Sequence, residues 1–355
     1  MENLEHIPLP PYTIIDSSRC FNTVYGEIYD IRAHARRAIV IPTKNEGTRP
    51  NEITYLQRRL QSLEPSLGRM LNTVVIISDC ESTDDTQRVW RAWVDANPRV
   101  ASFFMQTAIP KEYNGAALAR NNGALAARNR ANLELEGTYI FLDADGDFEH
   151  RENALPYMLE EMQDNKWRFA SPLIGLGYED DKVDRHWPER VTNLIQVGCE
   201  RTRKPFTYGG NLLVNTSAFL QVGGFPAEKA KTEVAEDLKL GENLALTYGK
   251  NLGGIVYDGG KATFSNRREN RMRREAEQQT RTKLQHHYDA AIRTAKNEGQ
   301  AALLRAKIES EVKKAGNAAV RRFSLNFGWA VAQHIAGVSH IKAPQSHAEF
   351  ATTSK

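Results

Sequence analysis

The stretch TYIFLDADGDF, residues 138–148, joins an apolar run to three carboxylates at every second position. Asp143, Asp145 and Asp147 follow the run TYIFL directly. Like charges at this spacing repel, and a carboxylate at the edge of a core must be hydrated, paired or bound to a cation. Taken alone, the stretch fits a solvated acidic turn as well as a metal site, so the rest of the sequence must decide between them.

Three further apolar runs precede this stretch, at residues 38–42, 73–78 and 100–105. They are continuous and rich in β-branched and aromatic residues, which is typical of strands covered on both faces. Segments long enough for crossover helices lie between them. The alternation predicts an α/β fold with a mostly parallel sheet flanked by helices, in which ligands bind beyond the carboxyl ends of the strands.

The composition is that of an ordinary globular protein, with 41% apolar and 26% charged residues among 355. The three cysteines are widely spaced, which argues against a disulfide framework or a zinc site and fits a reducing compartment. The N-terminal residues lack the pattern of a signal peptide, and no run of about 18 apolar residues occurs. We therefore expect a cytoplasmic protein, with peripheral membrane association as the alternative.

The net charge of +3 conceals two parts of opposite sign. Residues 1–265 carry 30 Lys and Arg against 36 Asp and Glu, whereas residues 266–355 carry 17 against 8. Different charge suggests different roles. We predict a lead-in at residues 1–36, an α/β domain at residues 37–265, and a basic helical C-terminal extension beyond it.

Polar signatures lie at the predicted strand ends and in the segment that follows the third strand. They are PTKNEG (42–47), SDCESTDDT (78–86), NGAALARNNGA (114–124) and DADGD (143–147). Each of them taken singly is ordinary turn chemistry. Four on one edge of one sheet favour a binding site, because the carboxyl ends of parallel strands meet there.

These motifs occur in an order that resembles the family 2 glycosyltransferases, which have the GT-A fold. The ordered set is VIPTKNEG, VVIISDCESTDDT, NGAALARNNGA, YIFLDADGD, YGGNLLVNTSAFLQVGGFP and AEDLKLG. The resemblance covers about residues 37–265. It implies an enzyme that moves a sugar from a nucleotide-diphosphate sugar, with a UDP-sugar favoured, to an acceptor hydroxyl.

The resemblance also implies roles for residues at the strand ends. Those implied for the donor nucleotide-sugar are Pro42, Thr43, Glu46, Asp79, Arg120, Asp143, Ala144 and Asp145. The first four would line the nucleoside pocket, and Arg120 would lie near the diphosphate. Asp143, Ala144 and Asp145 match the DxD motif, in which Asp143 would face the ribose and Asp145 would hold the cation, with Asp143 as a second candidate ligand. Mg²⁺ or Mn²⁺ suits such hard oxygen ligands.

The family places its catalytic base in an acidic pair, here Glu236 and Asp237, and we expect Asp237 to be the base. It would take the proton of the attacking hydroxyl, which gives inversion; a retaining GT-A enzyme would not need this base. The alternative interpretation is an acidic residue in the first turn of a helix, where such residues are favoured.

Some features leave the metal and the acceptor open. The segment DGGKATFSNRREN, after the acidic pair, lacks the His that many GT-A enzymes add as a metal ligand, and no His follows until His286. Arg267 and Arg268 could instead neutralise the phosphates. His186 and Trp187 are weak candidates for contact with the acceptor, whose identity is not indicated.

Other functions fit the motifs less well. A sugar nucleotidyltransferase would show a GxGTRxxP loop after the first strand, and an NAD-dependent oxidoreductase would show GxGxxG. A non-catalytic nucleotide-binding protein remains an alternative. The basic extension lacks interleaved aromatics between residues 267 and 320, so no nucleic-acid partner is expected. Packing on the protein itself, a peripheral membrane contact and a homo-oligomer contact remain open for it.

Overall fold

The chain divides into two compact units. Met1–Ile174 and Gln196–Thr263 form the first, whereas Gly175–Ile195 and Phe264–Lys355 form the second. The structure, a computed structural model, describes residues 12–17, 21–24, 27–30, 35–47, 53–110, 115–144, 146–148, 154–176, 210–227, 236–249, 253–264, 267–295 and 298–336. The domain boundaries at residues 36 and 265 stay predictions.

Strands and helices alternate through much of the first unit. In chain order they are β1 (Tyr12–Ser17), β2 (Phe21–Val24), β3 (Glu27–Asp30), β4 (Arg37–Thr43), α1 (Tyr55–Leu67), β5 (Thr73–Asp79), α2 (Thr86–Ala96), β6 (Ala101–Thr107), α3 (Gly115–Ala131), β7 (Thr138–Leu142), β8 (Gly146–Phe148), α4 (Ala154–Asp164), β9 (Phe169–Leu176), β10 (Asn211–Asn215), α5 (Thr216–Gln221), α6 (Glu236–Tyr248) and β11 (Gly253–Phe264). Each predicted apolar run is a strand, and each predicted crossover segment contains a helix.

Nine strands form one sheet, in the order β1-β6-β5-β4-β7-β10-β9-β11-β8. β6, β5, β4 and β7 are parallel, and β1 and β10 pair with their edges in the antiparallel sense. This confirms the predicted α/β fold with a parallel centre and flanking helices. The sequence did not place the lead-in, where β1 extends the sheet beside β6, and β2 and β3 form a separate pair.

The central strands are apolar on both sides because helices cover both faces. Along β4 and β5 the side chains alternate between the two hydrophobic clusters of the first unit. One cluster contains residues of α3, α5 and α6, and the other contains residues of α1, α2 and α4. Continuous β-branched runs with full burial are the expected result.

The strand order reverses between β4 and β7. The chain runs outward from β4 through β5 to β6, then crosses back through α3 to place β7 on the other side of β4. Because crossovers of one hand change face when the direction reverses, α1 and α2 pack on one face and α3 on the other. Such a switch point opens a crevice at the carboxyl ends of the strands, where ligands of α/β sheets bind.

The second unit is described mainly by two long helices, α7 (Arg267–Arg293) and α8 (Glu298–Ala336). Arg281 pairs with Glu309, and Arg273 lies beside Gly316, so the helices pack antiparallel. The predicted helical extension is therefore present, with its break just before Gly299. No described helix is both long enough and apolar enough to cross a membrane.

Candidate functional site

The ends of β4 and β5 meet at Thr43 and Asp79, which are register partners. Asp79 is 0% exposed. Its Oδ1 accepts hydrogen bonds from the hydroxyls of Thr43 at 3.0 Å and Ser82 at 2.5 Å, and its Oδ2 accepts one from the Ser82 N–H at 2.9 Å. The predicted nucleoside residues Thr43 and Asp79 are therefore in direct contact, and the carboxylate has a fixed orientation.

The loops that follow these two strands are joined by further hydrogen bonds. The N–H of Asn45 donates to Ser82 Oγ at 2.7 Å, and the N–H of Gly47 donates to Asp84 Oδ2 at 2.8 Å. A Cβ at Gly47 would lie 2.0 Å from the backbone nitrogen of Thr86, so only glycine permits this approach. The two loops therefore form one rigid edge of the crevice.

Two other predicted nucleoside residues lie on this edge. The N–H of Glu46 donates to Thr86 Oγ1 at 3.0 Å, which fixes its backbone, and its side chain is half-buried. Pro42 is half-buried one residue before the end of β4. All four predicted nucleoside residues thus belong to one strand-end region.

Arg120 lies at the centre of a second group of predicted residues. Its Nη2 donates to Asp143 Oδ1 at 2.6 Å, and its Nη1 donates to Glu236 Oε1 at 2.8 Å. The residue is 5% exposed. Burial by itself lowers the pKa of its guanidinium, but Asp143, Glu236 and Asp237 together raise that pKa above its usual value. Arg120 is therefore a permanent buried cation among three carboxylates.

Asp143 is also fixed through its backbone. Its N–H donates to the carbonyl of Gly210 at 2.8 Å, and its own carbonyl accepts from Arg59 Nε at 2.9 Å. The DxD motif thus begins at a rigid point between β7, β10 and α1. Ala144 is buried next to it, whereas Asp145 lies outside the described residues.

The acidic pair is in the first turn of α6. Asp237 is 9% exposed, and its Oδ1 accepts from the N–H of Leu238 at 2.9 Å. Its charge is near enough to raise the pKa of Arg120. The structure therefore brings the predicted base, its neighbour Glu236, Arg120 and Asp143 into one cluster, which we call the Arg120 cluster.

The Arg120 cluster and the strand-end region are neighbours. Cys80 follows Asp79, and burial and Asp79 raise its pKa to about 11, whereas Lys44 and Arg120 act to lower it. The thiol is thus within electrostatic range of Asp79 and Arg120. One crevice can therefore present both groups to a single ligand.

Several predicted positions lie outside this description. His186 and Trp187 fall outside the described residues, and Arg267 and Arg268 are described only as the start of α7. Within the described part of the chain, no group of three His, Cys, Asp or Glu side chains forms a metal site. The predicted metal ligation by Asp145 and Asp143 stays a prediction.

Sequence reasoning missed two asparagines next to Arg120. Asn121 Nδ2 donates to the carbonyl of Phe225 at 2.8 Å, and the N–H of Phe225 donates to Asn121 Oδ1 at 2.9 Å. Asn122 Nδ2 donates to Thr107 Oγ1 at 3.2 Å. The available signal was three consecutive polar residues within an alanine-rich helix, where a buried polar run requires specific partners.

Several solved glycosyltransferase structures are similar to this chain. The mannosyltransferase PcManGT from Pyrobaculum calidifontis, solved with GDP-Man and Mn²⁺, has a TM-score of 0.50 and 17% identity, covering 87% of this chain and 77% of that one. Staphylococcus aureus TarS 1–349 has a TM-score of 0.46 and 14% identity, covering 85% and 83%. Glucosyl-3-phosphoglycerate synthase from Mycobacterium tuberculosis, solved with Mn²⁺, UDP and its product, has a TM-score of 0.42 and 15% identity, covering 66% and 73%. At these identities the first structure shows a shared fold.

The family match is carried by the sequence itself. No curated protein matches the chain. Residues 38–223 match the family described as Glycosyl transferase family 2, which is more than half of the chain and includes β4 to β7 with all their strand-end motifs. The chain therefore belongs to glycosyl transferase family 2 and is a glycosyltransferase with the GT-A fold.

Proposed function

We propose that this glycosyltransferase moves a sugar from a nucleotide-diphosphate sugar, with a UDP-sugar favoured, to an acceptor hydroxyl with inversion and with the help of a divalent cation. The observation that supports this most strongly is the Arg120 cluster, in which Asp143 and Glu236 share one buried guanidinium. It gathers the DxD motif and the acidic pair at the switch point of the sheet. Donor chemistry and acceptor chemistry would then be side by side.

In this proposal the strand-end region receives the nucleoside. Pro42, Thr43 and Glu46 line it, and Asp79 accepts a base N–H or a ribose hydroxyl. A carboxylate has about four acceptor positions, and the contacts with Thr43 and Ser82 use three of them. Because Asp79 is fully buried, neighbouring groups must move when the donor binds.

The residues of the DxD motif fit a hard divalent cation. Within the part of the chain that the structure describes, only Oδ1 of Asp143 is hydrogen bonded, and its side chain is 25% exposed, so its second oxygen is available. We propose Asp145 as the principal ligand of Mg²⁺ or Mn²⁺, and Asp143 as the second. When bound, the cation stabilises the negative charge of the departing nucleoside diphosphate.

Asp237 acts on the acceptor side in this proposal. The attacking hydroxyl must lose a proton, and Asp237 accepts it at a carboxylate oxygen. Its orientation is set by the N–H of Leu238, and general base catalysis of this kind contributes about 10²–10⁴-fold. A base placed opposite the leaving group gives one in-line displacement, hence inversion.

Thermal-shift measurements with UDP- and GDP-sugars, each with Mn²⁺ or Mg²⁺, test the proposal. Ligand at 100 times its Kd stabilises the folded state by about 2.7 kcal/mol. We expect this for a UDP-sugar with a metal, followed by release of UDP and a product of inverted configuration. No shift with any donor would contradict the proposal, and a retained configuration would favour a retaining GT-A enzyme.

For the basic extension we propose a peripheral contact with an anionic lipid surface. Lys283, Lys313 and Arg322 are exposed on α7 and α8, and each basic residue near anionic lipid contributes about 1 kcal/mol. The full-length protein should sediment with vesicles containing phosphatidylserine at low salt. Charge reversal at these three positions should abolish this, whereas Arg88→Glu on α2 should not. Protein that ignores such vesicles would leave packing or a homo-oligomer contact.

A further inference from the structure

We propose that Arg120 is a positioning residue that sets Asp143 and Glu236 at a fixed separation, and so holds the donor side and the acceptor side of the site in register. The roles of these carboxylates in the reaction rest on the proposed function. The positioning itself rests on the contacts of Arg120, which can be tested without any substrate.

The two hydrogen bonds come from the two ends of one rigid group. Nη1 reaches Glu236 and Nη2 reaches Asp143, which lie 116 and 23 residues from Arg120 in the chain. A guanidinium is planar and presents its donors in a fixed fork, whereas the ammonium of lysine is a point charge on a flexible stem. One arginine therefore determines how far the first turn of α6 lies from the end of β7.

Arg120 is itself held by a second layer of contacts. Its guanidinium carbon lies 5.2 Å from the centre of the Phe225 ring. The backbone of Phe225 is fixed from both sides by Asn121, the next residue of α3. The fork is therefore mounted on a rigid helix and supported by an aromatic ring, as the positioning of reacting groups requires.

Neither stability nor donor binding explains these contacts equally well. A buried ion pair must repay a large desolvation cost, so an apolar group of similar size often stabilises as much or more. Both Nη atoms already donate to carboxylates, and the residue is 5% exposed. The phosphate contact that the sequence indicated would require one Nη to leave its carboxylate.

Arg120→Lys separates these roles, with Arg128→Lys as the matched control. Arg128 is on the same helix but donates to the carbonyl of Leu133. We expect Arg120→Lys to lower the kcat of UDP-sugar hydrolysis by about 10²-fold, the effect of a misplacement near 1 Å, while UDP affinity in EDTA stays unchanged. Loss of metal-free UDP affinity in step with kcat would assign Arg120 to the phosphates and overturn the proposal. Unchanged kcat would overturn it as well.

A double-mutant cycle tests the path through Glu236. If Arg120 acts by holding Glu236, the variant with both Arg120→Lys and Glu236→Gln should be no slower than the slower single variant. Losses in kcat that simply multiply would show that the two residues act independently. That result would contradict the proposed positioning of Glu236.

Hydrogen exchange decides the positioning without any ligand. Arg120→Lys should increase exchange several-fold at the amides of α6, and Arg128→Lys should leave them unchanged. Unchanged exchange in both variants would overturn the proposal. If the wild-type protein binds neither UDP nor GDP with Mn²⁺, the proposed function fails, and the exchange result still decides what Arg120 holds in place.

Discussion

Thr43 and Asp79 end adjacent parallel strands, and the hydroxyl of Thr43 donates a 3.0 Å hydrogen bond to the carboxylate of Asp79. The same carboxylate accepts two hydrogen bonds from Ser82, in the loop after β5. One buried charge thus fixes the ends of β4 and β5 and the loop that follows. Such an arrangement gives a ligand a rigid surface on which to bind.

Asp79→Ala should weaken the binding of UDP or GDP about tenfold or more, because a hydrogen bond to a charged group contributes about 1.5–3 kcal/mol. The fold should persist, with a loss of about 1–3 kcal/mol in the free energy of unfolding from the donors left unpaired. Isothermal titration calorimetry measures the affinity. Ser82→Ala is the control, since it keeps the carboxylate. Unchanged nucleotide affinity in Asp79→Ala would remove Asp79 from the site.

Gly224→Ala should destabilise the protein more than Gly223→Ala. Both glycines have positive φ, +73° and +80°, so alanine at either position costs about 1–2 kcal/mol. At Gly224 the new Cβ would also lie 2.7 Å from Asn121 Oδ1, whereas at Gly223 nothing lies within 4 Å. We expect a further loss of about 1–3 kcal/mol at Gly224, because the Asn121 bonds to Phe225 must shift. Equal urea midpoints for the two variants would show that the Asn121 contact adds no stability.

The stability of the protein should fall between about pH 9 and pH 11 through Cys80. Burial raises the pKa of its thiol to about 11, so over this range the thiol ionises in the unfolded state and stays protonated in the folded state. The unfolded state then binds fewer protons, and the free energy of unfolding decreases by about 2–3 kcal/mol.

Cys80→Ala isolates this contribution. Burial also raises the pKa of Tyr139, so part of the alkaline loss above about pH 10 is common to both proteins. Urea unfolding at several pH values should give a smaller decrease for Cys80→Ala than for the wild type. Parallel curves would mean that the thiol titrates alike in the folded and unfolded states.

Asp237→Asn should leave donor and metal binding nearly normal while lowering turnover by about 10²-fold or more, because a base acts only as the acceptor loses its proton. Calorimetry with UDP and Mn²⁺ measures the first effect, and release of UDP from a UDP-sugar measures the second. Asp145→Asn is the contrasting variant, in which binding and turnover should fall together. Near-wild-type turnover in Asp237→Asn would exclude it as the base.

The sequence could predict the parts of the fold that depend on local pattern. The continuous apolar runs identified the four parallel strands, and the predicted helix at residues 86–96 has those same bounds as α2. The order of motifs predicted which residues end these strands. Such features follow from side-chain periodicity and from the chirality of crossover connections, which act over short distances along the chain.

The contacts that organise the site depend on tertiary packing and could not be predicted in this way. Arg120 has two anionic partners far apart in the chain, and nothing in the local sequence chooses carboxylates over a phosphate for it. Asn121 and Phe225 are 104 residues apart. The strand β1 lies in a polar lead-in whose pairing depends on the exposed edge of β6 rather than on its own composition.

The most direct measurement is calorimetric titration of the full-length protein with UDP and with GDP, each with Mn²⁺ and with EDTA, alongside Asp145→Asn. The account predicts that the wild type binds UDP at least about tenfold more tightly with Mn²⁺ than with EDTA, because the cation joins the DxD motif to the diphosphate. Asp145→Asn should lose this difference while keeping the weaker metal-free affinity. Failure of the wild type to bind either nucleotide, or an affinity indifferent to the metal, would contradict the account.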